Sequence, residues 1–466
     1  MGVGVSGWPL ARSVSSRGQL GVVSGTALDS TLVRRLQDGD RDGHYRRALD
    51  AFPLPAIAAE ALRRYFRPDG REVGEPYILL PLQKRVLDAW QERLMVLANF
   101  AEVFLAREGH PNPVGINYLT KIQIPTLPSL YGAMLAGVGT VLMGAGIPRD
   151  VPGALDALAR HEAVSLRMDV VGGSGAEDET LRFDPAPLWE DPPGPLSRPR
   201  FIPIVASASL ATVLARKANG RVDGFVVEGP TAGGHNAPPR GAPVHDERGA
   251  PVYGERDRVD LGKVAELGLP FWIAGGAGSP EGLRGALAAG ACGIQVGTLF
   301  AYCDESGLDA ALKARVLERA GNGGIDVVTD GRASPTGFPF KVVQLDGTLS
   351  DPEVYARRER VCDLGYLRIA YRRPDGRIGF RCPGEPVDTF LKKGGDRAET
   401  EGRKCLCNGL VADIGLGQAR EGGVEPPILT SGDDLRALGA FLEGRSSYSA
   451  GDVLDHLLAA VATPAA

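Results

Sequence analysis

The sequence lacks any apolar run approaching the roughly 18 to 20 residues needed to cross a bilayer. It also lacks a charged-then-apolar leader, so the chain reads as unexported and cytoplasmic. Cysteine is scarce, six in 466 residues and unevenly spaced, which excludes the dense disulfide framework of a small secreted domain. Charge of one sign is missing too: 52 basic against 57 acidic residues give −5, with no long block of either. A nucleic-acid or anionic-membrane partner is therefore not expected. There is no H-E-x-x-H, no P-loop and no G-x-S-x-G elbow, and no repeat of solenoid period.

What is present is an alternation of short apolar runs with helical patterns. Strand candidates lie at 19–25, 113–119, 137–146, 200–207, 222–229, 270–276 and 291–298, each mostly apolar, as strands buried on both faces should be. Helical patterns fall between them at 7–17, 124–136, 149–161, 207–219, 258–267 and 304–320, and another follows Ser279 and Pro280 and ends at Gly290. This is the pattern of a parallel α/β fold, one strand short of a closed eight-stranded barrel.

The absent strand should precede Met1, so a natural start about 10 to 20 residues upstream is expected. The opening also contains G-x-G-x-x-G at Gly2, Gly4 and Gly7. A dinucleotide site needs a strand before it and an acidic residue after the next strand, and neither is here. The expected architecture is a TIM (β/α)8 barrel over 1–340, with a helical insertion at 41–110 and a proline-rich one at 173–199, both taken as surface decoration. An extension at 341–466 follows, expected to fold over the barrel mouth as a lid.

In such a barrel, function belongs at the carboxyl ends of the strands. Those ends offer Ser24, Asn117, Glu228 leading into "GGH", "AGGAGSP" from Ala274, and Gly297 with Thr298. Glycines at the last two strand ends let a phosphate reach bare backbone N–H groups, and the helix after Ser279 adds its positive end.

The succession "GVGVSG", "GQLGVVSG", "GINYL", "VVEGPTAGGH" and "PFWIAGGAGSPEGLRGALAAGACGIQVGTLF" resembles the nitronate monooxygenase family of FMN-dependent TIM barrels, over roughly residues 1–340. The resemblance implies FMN phosphate on Gly275, Gly276, Gly297 and Thr298, flavin contacts from Asn117 and Glu228, and catalysis by His235. The family often has glutamine where this chain has Glu228, and a glycine soon after the histidine where it has "NAPPRG". A related branch, the trans-acting enoyl reductases of polyketide and polyunsaturated fatty acid synthases, shares barrel and flavin.

Gly233 and Gly234 let the chain pass close to a flavin, so that His235 can point over the ring while Pro238 and Pro239 stiffen the loop. A neutral imidazole there can take the acidic proton beside a nitro group, and an imidazolium can steady a nitronate. The other reading has His235 capping a turn. His44, His110, His161, His245 and His456 read as structural or solvated, and Cys292 and Cys303 as small core residues.

In the tail, Cys362, Cys382, Cys405 and Cys407 lack paired C-x-x-C spacing, so ordinary packing is expected ahead of a metal site or a redox pair. Lys404 and Asn408 are placed to meet an anionic substrate. The expected activity is FMN-dependent oxidation of nitronates or similar acidic carbon compounds by O2, to a carbonyl product and nitrite. The alternatives are a flavin-dependent enoyl reductase and a non-catalytic flavin-binding subunit. Expected partners are a small-molecule substrate and O2, with a homodimer or a biosynthetic partner protein at the level of assembly.

Overall fold

A computed structural model describes residues 2–242 and 244–462. Met1, on which the expected upstream start depends, lies outside the described residues.

Seven parallel strands form one curled sheet: β1 (Gly21–Ser24), β2 (Val114–Leu119), β3 (Thr140–Gly144), β4 (Arg200–Val205), β5 (Phe225–Glu228), β6 (Phe271–Ala274) and β7 (Gly293–Gln295), paired in chain order. Each lies inside its predicted run. Registers such as Val23 beside Ile116 and Ile116 beside Val141 keep apolar side chains level across the sheet. The fold is that of a TIM barrel opened between β7 and β1. On the open side, Ser24 N–H donates to the carbonyl of Ser6 (2.8 Å), and the Ser6 hydroxyl donates to that of Val22 (2.6 Å).

The crossover helices follow the predicted pattern, as in Trp8–Ser16, Thr126–Leu135, Val151–Ala159 and Ala208–Lys217. Pro280–Ala288 begins where the Ser279 hydroxyl accepts the Gly282 N–H (3.0 Å), and Pro280 fills its first turn. Gly21 is fixed by contact, because a Cβ there would stand 1.9 Å from the carbonyl oxygen of Ala11.

The insertion at 41–110 is not surface decoration. Its helix Ala89–Arg107, opened by a capping box on Asp88 and Gln91, buries Val96, Leu97, Ala101, Val103 and Leu105 completely. It packs so tightly on the helix Thr126–Leu135 that a Cβ at Gly132 would lie 2.1 Å from the Val96 carbonyl oxygen. It therefore serves as the crossover helix between β1 and β2. The second insertion is partly structural as well: its strand Thr180–Phe183 pairs with Val164–Arg167 and buries Leu181 and Phe183.

After β7 the chain forms a hairpin of β8 (Asp326–Asp330) and β9 (Phe340–Gln344), then a tail of short helices and strands. The tail is joined to the barrel through two apolar clusters that mix residues of both. Among the described residues no helix is long and apolar enough to cross a membrane.

Candidate functional site

A cavity of about 950 Å³ opens at the carboxyl ends of the strands and continues into the sheet's interior. That is the upper end of the range for ligand sites. Asn117, Glu228, Gly233, Gly234, Gly275, Gly276, Gly297 and Thr298 all line it, as does His235. Ser24 does not. It is buried in the wall behind, level with Asn117 on the neighbouring strand.

His235 follows β5 and forms a bridge with Phe340 at the start of β9, the two rings meeting edge-on at 4.9 Å. The bridge is held by Lys341 N–H to the Gly234 carbonyl and Asn236 N–H to the Pro339 carbonyl, both 2.9 Å. Nε2 of His235 lies 2.6 Å from Oγ of Ser334, a fully buried hydroxyl that also reaches Oγ1 of Thr336 at 2.8 Å. Burial pulls the imidazole down to about 4, helped by the charge of Lys121, so the ring is neutral at neutral pH. Lys121 itself stands over the ring of Phe338, which lines the cavity.

Glu228 ends β5 with its side chain in the cavity wall, and burial pushes its carboxyl up to about 7.

The glycine-rich strand ends lie together at one end of the cavity, joined there by a segment of the tail. Gly275 and Gly276 take positive φ (85° and 69°), and a Cβ on Gly275 would stand 2.8 Å from the Ala232 nitrogen. Only glycine permits that approach. At Gly297 a Cβ would meet nothing, so this backbone is open to the cavity. A cradle of bare glycine backbone beside the helix that starts at Pro280 suits a phosphate, and the cavity is large enough for a flavin. Asp434 is the opposing feature. It lines the cavity, and burial raises its carboxyl, which favours the protonated form and weakens its repulsion of an anion.

The tail segment is a strap. Thr430 Oγ1 accepts the Gly234 N–H (2.8 Å), Gly432 N–H donates to Thr298 Oγ1 (3.2 Å), and Asp433 N–H donates to the Thr231 carbonyl (2.9 Å). Lys341, almost fully buried, clamps both oxygens of Asp433 at 2.8 Å. Gly233 is small for this strap's sake, since a Cβ there would lie 2.7 Å from the Ser431 carbonyl carbon. Thr430, Ser431 and Gly432 line the cavity.

Sequence reading missed Ser334, Lys121 and the strap, because each is brought in from a segment with no motif of its own. It misplaced others. Lys404 Nζ sits over the Tyr355 ring at 4.2 Å and Asn408 bonds Asp363 at 2.7 Å, both outside the cavity wall. Cys292 is exposed and lines the cavity instead of filling the core, whereas Cys303 is buried. His161 bonds Tyr131 (2.7 Å) and His110 the Ala106 carbonyl (3.0 Å), as structural histidines do.

No curated protein matches the chain. Among solved structures it is similar to FabK from Thermotoga maritima (16% identity, 98% of this chain and 89% of that one, TM-score 0.45). It is similar also to nitroalkane oxidase from Streptomyces ansochromogenes (15%, 99% and 94%, TM-score 0.45). A third is the enoyl reductase domain of MlnA from the macrolactin biosynthesis cluster of Bacillus amyloliquefaciens (13%, 79% and 85%, TM-score 0.44). Residues 198–332, the stretch that carries β4 to β8 and His235, match the family model described as nitronate monooxygenase.

Proposed function

We propose that this protein is an FMN-dependent oxidase of nitronates or similarly acidic carbon compounds, using O2 and yielding a carbonyl product and nitrite. The observation that carries this reading is His235: a neutral imidazole in the wall of a strand-end cavity, with Nε2 engaged by Ser334. That engagement leaves Nδ1 as the nitrogen for a ligand. Gly275, Gly276 and Gly297 would hold the phosphate, and Asn117 and Glu228 would face the ring system.

When bound, FMN supplies the two-electron acceptor and the reaction with oxygen. The chain supplies the rest. At neutral pH the His235 ring can take the proton from the acidic carbon of a neutral substrate, forming the nitronate or its equivalent in place. An anionic nitronate beside it favours the protonated ring, so binding raises the basicity that burial lowered. Ser334 keeps the ring in one orientation, and Lys121, whose charge is felt at the ring, adds positive charge nearby. Glu228, close to half protonated near pH 7, offers a hydrogen-bond donor within the cavity.

The cavity volume favours a second reading. About 950 Å³, much of it walled by residues such as Leu142, Ile202, Val226 and Trp272, is more than a small nitronate needs beside a flavin. An enoyl reductase acting on longer chains with NAD(P)H would use that space. Anaerobic mixing of FMN-loaded protein separates the readings. Bleaching by a nitronate supports the first, and bleaching by NAD(P)H alone supports the second. Bleaching by neither leaves a flavin-binding subunit without turnover. Denatured protein should release FMN and not FAD, and protein that cannot be loaded with FMN at all would sink the site assignment.

A further inference from the structure

We propose, resting on the flavin reading of the cavity, that the hydroxyl of Ser431 in the tail strap binds the ribityl chain of the cofactor. Three side-chain oxygens of the cavity wall have no hydrogen-bond partner among the described residues: Oδ1 of Asn236, Oδ1 of Asp413 and Oγ of Ser431. Their residues are 2%, 2% and 4% exposed. Buried polar groups are nearly always paired, so orphans gathered on one cavity mark where the polar groups of a ligand belong. The Tyr302 hydroxyl stands near Ser431 but outside hydrogen-bond geometry.

Of the three, Ser431 is the one whose place the strap fixes. Thr430 Oγ1 takes the Gly234 N–H at 2.8 Å, beside His235, and Gly432 N–H reaches Thr298 Oγ1 at 3.2 Å, beside Gly297. A Cβ built on Gly233 would stand 3.1 Å from Cα of Ser431, so the loop before His235 must be bare for the strap to lie against it. Ser431 therefore sits between the histidine proposed to act on substrate and the glycines proposed to hold phosphate. In FMN the ribityl chain fills that interval, joining ring to phosphate.

Hydrogen-bond chemistry selects the same part of the cofactor. Asn236 belongs to the loop that Ser431 lies against, its Nδ2 donating to the Ala232 carbonyl at 3.0 Å, and its orphaned Oδ1 can only accept. A phosphate dianion has no proton to give it, and the flavin ring carries a single N–H. The ribityl chain is lined with hydroxyls, each able to donate and to accept, and a serine hydroxyl answers in either sense. Orphaned oxygens in this part of the wall therefore match a polyol better than a second phosphate contact.

The test titrates cofactor-free, full-length protein by fluorescence with lumiflavin, which is the ring without a ribityl chain, with riboflavin, which adds that chain, and with FMN, which adds the phosphate. The wild type should bind riboflavin at least about tenfold more tightly than lumiflavin. Ser431→Ala, which removes only the hydroxyl, should weaken riboflavin and FMN alike by about fivefold, as for one lost hydrogen bond, and leave lumiflavin unchanged. Equal wild-type affinities for lumiflavin and riboflavin would overturn the proposal even if the variant failed to fold. So would a variant that loses nothing, one that loses all three flavins equally, as general damage to the pocket does, or one that loses FMN alone, which puts the hydroxyl on the phosphate. Each of these leaves the flavin reading standing, whereas a wild type that binds none of the three removes that reading and this contact with it.

Discussion

Oγ of Ser334 lies 2.6 Å from Nε2 of His235, across 99 residues of sequence. Because Ser334 is fully buried and shares a second hydrogen bond with Thr336, the imidazole is held in one orientation from behind. Ser334→Ala should lower kcat about tenfold with FMN content unchanged, the size typical for loss of a supporting hydrogen bond. Ser334→Thr keeps the hydroxyl and should recover much of the loss. Equal kcat in all three proteins would remove Ser334 from the mechanism.

His235→Asn should retain the yellow cofactor and reduce turnover with the best substrate by about a hundredfold or more, as for loss of an acid/base group. Steady-state assay beside an absorption spectrum separates the two effects. Full activity in the variant would return His235 to a purely structural place beside Phe340.

Glu228 gives a pH signature. Its carboxyl is raised by burial to about 7, so the folded protein holds this proton more tightly than the unfolded chain does. Its stabilising contribution is complete below about pH 4.5 and is lost as pH rises through about 7. Cofactor-free Glu228→Gln should therefore gain thermal stability over the wild type on going from pH 5 to pH 8. The wild-type activity profile should bend near pH 7 and the variant's should not. A melting-temperature difference that stays flat across this range counts against the assignment.

The strap over the glycine-rich end of the cavity is open to a single substitution. A Cβ on Gly432 would stand 2.9 Å from Thr298 Oγ1 and 3.0 Å from the Thr231 carbonyl oxygen. Gly432→Val should push the strap off these loops, cost about 1 to 3 kcal/mol in stability as overpacking does, and weaken FMN binding about tenfold or more. Fluorescence titration of the cofactor-free protein measures the affinity. Unaltered FMN affinity would mean that the strap plays no part in holding the cofactor.

The sheet was legible in the sequence because each strand is buried on both faces and so reads as a continuous apolar run between turn residues. The cavity's glycines were legible for a related reason, since positive φ at Gly275 and Gly276 permits little else. Helix Ala89–Arg107 could be seen as a helix but not as a core element. Its flanks are rich in arginine, and its burial depends on the close approach at Gly132. Ser334 sits in "GRASPTGFPF", a loop that looks like any other until β8 and β9 turn it toward His235. The tail was harder still. Its residues meet the barrel singly, through Thr430, Gly432 and Asp433, and no periodicity announces such contacts.

The open side of the sheet lies between β7 and β1, and the helix Ala450–Ala462 spans it, packed on both Trp8–Ser16 and Pro280–Ala288. Glu305 joins the two ends of the chain there, accepting the Ala450 N–H (2.8 Å) with one oxygen and the Ser13 hydroxyl (3.1 Å) with the other, while Arg17 pairs with Asp455. What a closed barrel does with backbone hydrogen bonds is done here largely by side chains, with Arg17 and Asp455 meeting across 438 residues. The ring of elements is therefore fastened like a belt, with its buckle on the outside. Melting should begin at that buckle and spread to the whole molecule as one cooperative event, with no half-barrel surviving alone.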